Sequence, residues 1–268
     1  MLPGGGGAKI GLGGLLVLMV LGAVFNRDLV TPVLESGGAP VGESGAPVTQ
    51  TPAEKEMVEF VSFVLDDAQA TWTKLLGQSN VPYRRAKLVL FREAVDSACG
   101  MAGSATGPFY CPADEKAYID LSFFSELRER FGAPGDFAQA YVLAHEIGHH
   151  VQNVLGIERK FRALQQRNPG SAKALSVRME LQADCFAGLW GNATAQRGIL
   201  EKGDVEEGLD AAAAIGDDRL QRNAGRRVSP ESFTHGSSAQ RVEWFRKGLE
   251  SGSIQACDTF AGAGGGSL

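Results

Sequence analysis

Two histidines four residues apart inside an apolar helical run constrain this chain more than any other feature. Phe137, Ala138, Tyr141, Val142 and Ala144 lead into His145-Glu146-Ile147-Gly148-His149, so ionisable side chains fall in a segment apolar enough to be buried. Residues four apart stack on one helical face, and two imidazoles so placed can reach one tetrahedral ion at about 2.0–2.1 Å. Glu146 is turned by about 100° from His145. That sets its carboxylate beside such an ion, where a general base for an activated water belongs. Burying these three groups without partners is costly; a metal removes that cost, and the bland alternative is a set of core hydrogen bonds with a salt-bridged Glu146.

A catalytic zinc takes three protein ligands and keeps one position open. Glu180-Leu181-Gln182-Ala183-Asp184 follows His149 by 31 residues, in a frame of Leu175, Val177, Met179, Cys185, Phe186, Leu189 and Trp190. Glu180 and Asp184 share a helical face. Glu180 is assigned as the third ligand and Asp184 as the carboxylate that orients a ligand histidine through its other ring nitrogen; the exchanged assignment stays open. His235, between Thr234 and Gly236, is a candidate donor to an anionic tetrahedral intermediate, the alternative being a structural histidine that caps the following helix. His150 lies off the 145/149 face and reads as packing, and nothing in the sequence separates Tyr110, Tyr118 and Tyr141 from core aromatics.

The rest of the chain reads as a predominantly helical α+β protein. Met57, Val58, Val61, Val64, Leu65, Ala68, Trp72 and Leu75 recur at helical spacing. Strands are expected at Lys87–Phe91 and Ala117–Leu121, and helices at 137–154, 159–167, 172–194, 205–214 and 239–249. Ahead of this lies an uncharged apolar run from Ile10 to Phe25, so residues 1–27 are expected to be a membrane anchor, slightly short of the usual ~20-residue span; a signal peptide and a buried helix are the alternatives. Residues 28–52, rich in Pro, Gly, Ser and Thr, read as a flexible linker, 53–261 as the folded domain and 262–268 as a low-complexity tail.

Four cysteines, Cys99, Cys111, Cys185 and Cys257, allow three disulfide pairings or four reduced thiols. Cys99 with Cys111 is the pair nearest in sequence, which leaves Cys185 with Cys257, and this would suit an extracytoplasmic domain. A net charge of −5 with 26 scattered basic residues argues against nucleic acid as a partner. Arg128–Arg130 and Arg226-Arg227 read as solvated surface.

The run Ala144-His145-Glu146-Ile147-Gly148-His149-His150-Val151-Gln152, followed by Glu180-Leu181-Gln182-Ala183-Asp184-Cys185, resembles the bacterial neutral zinc metallopeptidase family. Further matches are Cys99-Gly100, Gly107-Pro108-Phe109-Tyr110-Cys111-Pro112, Gly216-Asp217-Asp218-Arg219-Leu220-Gln221 and Phe233-Thr234-His235-Gly236-Ser237-Ser238. The resemblance implies a zincin-like peptidase domain, with a small sheet and an active-site helix, behind one N-terminal transmembrane segment. It names no substrate beyond a peptide or protein. The expectation is therefore a single-pass membrane protein with an extracytoplasmic domain, in which Zn2+ on His145, His149 and Glu180 works with Glu146 as base. The rivals are an inactive zinc-binding interaction module and a hydrolase acting on a non-peptide bond.

Overall fold

The computed structural model describes residues 51–261. The expected anchor, nearly all of the linker and the tail at 262–268 lie outside the described residues. Helix α1 (Pro52–Gly77) begins where the residue before a proline can start a helix: Thr51 and Glu54 form a reciprocal capping box, Thr51 N–H to Glu54 at 2.8 Å and Glu54 N–H to Thr51 Oγ1 at 3.2 Å. Its buried stripe is Val61, Val64, Ala68, Trp72 and Leu76, the period of an amphipathic helix packed on a core.

Five short strands follow: β1 (Lys87–Phe91), β2 (Ala94–Ser97), β3 (Gly100–Gly103), β4 (Phe109–Cys111) and β5 (Lys116–Asp120). They form two small sheets, a three-stranded one in the order β1-β5-β4 and a hairpin of β2 with β3. β1 and β5 pair in parallel and β4 pairs antiparallel with β5. A parallel pair needs a long crossover, and here the hairpin and β4 supply it. The Cys99–Cys111 disulfide ties the tip of that hairpin to β4.

The remainder is helical: α2 (Phe123–Glu129), α3 (Asp136–Val154), α4 (Ile157–Arg167), α5 (Ala172–Gln196), α6 (Asp204–Ala214), α7 (Asp217–Asn223) and α8 (Ser238–Ser251). The protein is thus predominantly helical α+β, and one main core runs through α1, α3, α5, α6 and α8. Among the described residues no helix is long and apolar enough to cross a membrane.

Helix α5 is the hub, packed mainly on α8 and α3. Two close approaches set its position. A Cβ on Gly148 of α3 would lie 2.8 Å from the Ala183 carbonyl of α5, so only glycine lets these backbones touch. Gly188 of α5 and Gly248 of α8 meet likewise: a Cβ on either would lie within about 2 Å of the other helix's carbonyls. The second disulfide, Cys185–Cys257, fastens α5 to the segment after α8. Of the three pairings that the cysteine count allows, the structure has Cys99–Cys111 with Cys185–Cys257, the one expected from sequence proximity, and no described cysteine is free.

Candidate metal centre

Helix α3 carries both histidines in its buried middle. Its N-terminus is held from outside: Glu207 of α6 accepts the Phe137 N–H at 3.3 Å, and a carboxylate there also suits the positive end of the helix dipole. The rings of His145 and His149 stand 4.8 Å apart, centroid to centroid and perpendicular. Glu180 reaches across from α5, with Oε2 3.2 Å from His145 Nε2 and Oε1 3.6 Å from His149 Nε2. One donor atom from each of the three residues falls within 4.8 Å of the others.

Behind each imidazole stands a different partner. His145 Nδ1 lies 2.8 Å from Asp184 Oδ1; a carboxylate at that distance keeps a proton on Nδ1, so Nε2 is the nitrogen that would lose its proton to bind a metal. Asp184 is fully buried and also accepts from the Tyr141 hydroxyl at 2.5 Å and from Arg241. His149 Nδ1 donates instead to the neutral Gln152 Oε1 at 2.8 Å. Gln152 Nε2 is held in turn by the Met179 carbonyl at 2.7 Å and by Gln182 Oε1 at 3.1 Å. Gln182 then donates to the Cys257 carbonyl at 3.0 Å. Both rings are thus held on Nδ1 with Nε2 facing Glu180.

Charges in the cluster act on one another. Burial alone would discharge the histidines and neutralise the acids. Despite burial, the Glu180 carboxylate pushes His149 up to about 9, and Asp184 raises His145. Also against burial, the histidines hold Glu180 well below the usual carboxylate range. Glu146 goes the other way: its burial raises its pKa more than the two histidines lower it, as suits a group that takes and returns a proton. Its Oε2 is buried without a hydrogen-bond partner. The residues fit a zinc ion: two Nε2 atoms and a carboxylate converge, both rings are backed on Nδ1, and a buried carboxylate oxygen waits beside them.

His235 is half exposed, with 47% of its side chain open to solvent. Its Nδ1 lies 3.1 Å from Asp217 Oδ1. Asp217 Oδ2 also accepts the backbone N–H groups of Thr234, His235 and Gly236 at 2.7, 2.7 and 3.1 Å. This turn sits on α5 beside Glu180, because Gly236 packs against Val177 and Leu181. Although crowding by protein atoms disfavours its charged form, His235 is raised by its bond to Asp217 and by Glu180. The following helix is capped by Ser237, through a capping box with Gln240, so His235 is not its cap.

His150 is fully buried and bonded on both nitrogens, to the Arg84 carbonyl at 2.6 Å and the Tyr110 hydroxyl at 2.9 Å. It packs and does not face Glu180. Tyr118 donates to Asp114 at 2.6 Å, whereas Tyr141 belongs to the Asp184 cluster. Sequence reasoning missed Arg241, Gln152 and the role of Asp217. A signal for Arg241 does exist, since it falls on the buried stripe Arg241, Phe245, Gly248 of α8. Gln152 carries a fainter one, one turn beyond Gly148 in a buried run.

Two histidines one turn apart with a carboxylate from a second helix make a donor set suited to one zinc ion. The chain belongs to the family described as "Putative neutral zinc metallopeptidase", which it matches over residues 2–260. It is 47% identical over 260 residues to the uncharacterized protein YpfJ of Escherichia coli (strain K12), covering 97% of this chain and 88% of that protein. It is 43% identical over 209 residues to the uncharacterized protein Rv2575 of Mycobacterium tuberculosis (strain ATCC 25618 / H37Rv), covering 74% of this chain and 69% of that one. The uncharacterized protein Mb2605 of Mycobacterium bovis shows the same identity and coverage. No solved structure matches the chain.

Proposed function

We propose that this protein is a zincin-like peptidase that hydrolyses peptide bonds with one zinc held by His145, His149 and Glu180. The observation that carries this reading is the convergence of His145 Nε2, His149 Nε2 and Glu180 next to a buried Glu146 oxygen that has no partner of its own. When bound there, zinc would lower the pKa of a water toward about 7 and polarise the scissile carbonyl. Glu146 takes the proton of the attacking water as the oxygen–carbon bond forms, then delivers it to the leaving amine as the carbon–nitrogen bond breaks. His235, held on Nδ1 by Asp217, presents Nε2–H to the oxygen on which negative charge develops. The uncharged run from Ile10 to Phe25 supports an anchored chain, and the two disulfides support an oxidising, extracytoplasmic compartment.

The test is zinc content and peptide-library cleavage of the full chain beside Glu146→Gln and Glu180→Ala. One zinc per chain, retained in Glu146→Gln and lost in Glu180→Ala, with chelator-sensitive cleavage only in the parent, is the expected result. Zinc without cleavage points to a binding module, and cleavage by Glu146→Gln refutes the base.

A further inference from the structure

We propose that Arg241 is a positioning residue of the metal centre, fixing the orientation of the His145 ring by pinning the carboxylate of Asp184. The inference rests on the peptidase reading above and extends it to a residue 96 positions from His145.

Arg241 is a charged side chain with only 3% of its surface exposed. Its Nε and Nη2 donors are spent on the site. Nε reaches Asp184 Oδ2 at 2.9 Å and Nη2 reaches Asp184 Oδ1 at 2.8 Å, a bidentate pair; Nη2 also touches the Tyr141 hydroxyl at 3.2 Å, and Nη1 reaches the Ile215 carbonyl at 3.3 Å. Planar, two-point binding defines the rotation of a carboxylate as well as its charge. Asp184 Oδ1 therefore meets three groups at once: Tyr141, Arg241 and His145. It cannot swing toward or away from the imidazole without breaking the fork. Arg241 Nη2 also lies 3.3 Å from His145 Nδ1. Both atoms are donors in the tautomer that frees Nε2, so each N–H must aim at the carboxylate between them.

The fold places this fork with little latitude. Gly248 lies seven residues after Arg241 and touches α5 at Cys185 and Gly188, the residues one and four positions past Asp184. The glycine contact sets how close α8 and α5 come, and the same stripe of α8 carries the guanidinium. A lysine at 241 keeps a positive charge but offers a single point.

The experiment uses the full chain loaded with cobalt(II), whose visible bands report ligand geometry. It compares the parent with Arg241→Lys, Arg241→Met and Tyr141→Phe. Measurements are the band positions, cobalt affinity by chelator competition, and the unfolding midpoint of the metal-free protein. Arg241→Lys is expected to lose roughly tenfold in affinity and Arg241→Met up to about a hundredfold, with shifted bands, the range found when outer-sphere partners of a metal site are removed. Tyr141→Phe removes one of the three groups on Asp184 Oδ1 but keeps both arms of the fork, so its loss should be smaller than that of Arg241→Met. A salt bridge that merely joined α8 to α5 would lower the unfolding midpoint and leave affinity and bands unchanged in the folded Lys variant; that result overturns the proposal. Should the Met variant not fold, the Lys variant alone decides. A parent chain that takes up no cobalt overturns the peptidase reading itself, and this inference with it.

Discussion

Substituting Gly148 by alanine probes how the candidate metal centre is built, because the residue binds nothing and yet lies between both candidate ligand histidines. The added methyl would sit 2.8 Å from the Ala183 carbonyl oxygen, 3.1 Å from its Cα and 3.3 Å from its carbonyl carbon. These are backbone atoms and cannot rotate away. Reaching an ordinary contact of 3.4 Å needs a separation of α3 and α5 by about 0.6 Å at this point. The stability effects partly cancel: alanine gains about 1 kcal/mol over glycine inside a helix, and overpacking costs about 1–3 kcal/mol. The unfolding midpoint of the metal-free chain should therefore fall by only a few degrees.

Metal binding has no such cancellation. Glu180 and Asp184 flank Ala183 on the displaced helix, and metal–ligand distances tolerate only about ±0.2 Å. Zinc affinity is expected to fall at least tenfold, about 1.4 kcal/mol. Competition with a chromophoric chelator measures it, and circular dichroism monitors the fold. A Gly148→Ala chain that folds and binds zinc within twofold of the parent would refute the claim that this backbone contact sets the ligand geometry.

Other expectations reach different parts of the molecule. His235→Ala and Asp217→Asn should each lower turnover more than tenfold, about 1.4 kcal/mol of barrier, with zinc content unchanged; a smaller loss would make the pair structural. Asp67, on α1, is bonded by Trp190 and Arg197 of the α5 end, and against its burial Arg197 holds its pKa below the ordinary value. A lowered carboxylate stabilises the fold fully above its unfolded value, near 3.9, and loses that contribution as pH falls through the lower folded one. The midpoint difference between parent and Asp67→Asn should thus be constant above about pH 5 and narrow below about pH 4; narrowing on the alkaline side would contradict it. Removing the Cys185–Cys257 bridge, which closes 72 residues, should cost about 4 kcal/mol in urea unfolding. The 12-residue Cys99–Cys111 loop should cost about 3 kcal/mol, and a reversed order would count against the loop-closure account.

What could be read in advance follows the range of the interactions. His145 with His149, and Glu180 with Asp184, are each one helical turn apart, so periodicity alone puts them on common faces. The long helices show for the same reason. Strands β2, β3 and β4 are three or four residues long, too short for alternation to register. Helices α2 and α7 have seven residues each, two turns at most. Arg241 escaped because its partner lies 57 residues away, and a linear pattern shows a charge on an apolar stripe without naming what neutralises it. Asp217 was hidden similarly: its acceptors serve a turn 17 to 19 residues later. The parallel pairing of β1 with β5 is likewise a contact between distant segments, and no local signal encodes it.

The fork from α8 to Asp184 also has a consequence in time. Synthesis runs from the N-terminus, so the histidines, Glu180 and Asp184 all exist before Arg241 and Cys257 have been added. Until those last residues arrive, Asp184 has no guanidinium to meet its charge, and Gln182 has no Cys257 carbonyl to receive its amide. The nascent chain thus holds every atom that would bind the ion while the frame that aims them is incomplete. A chain assembled in this order completes the frame around His145, His149 and Glu180 only when nearly the whole domain has been made.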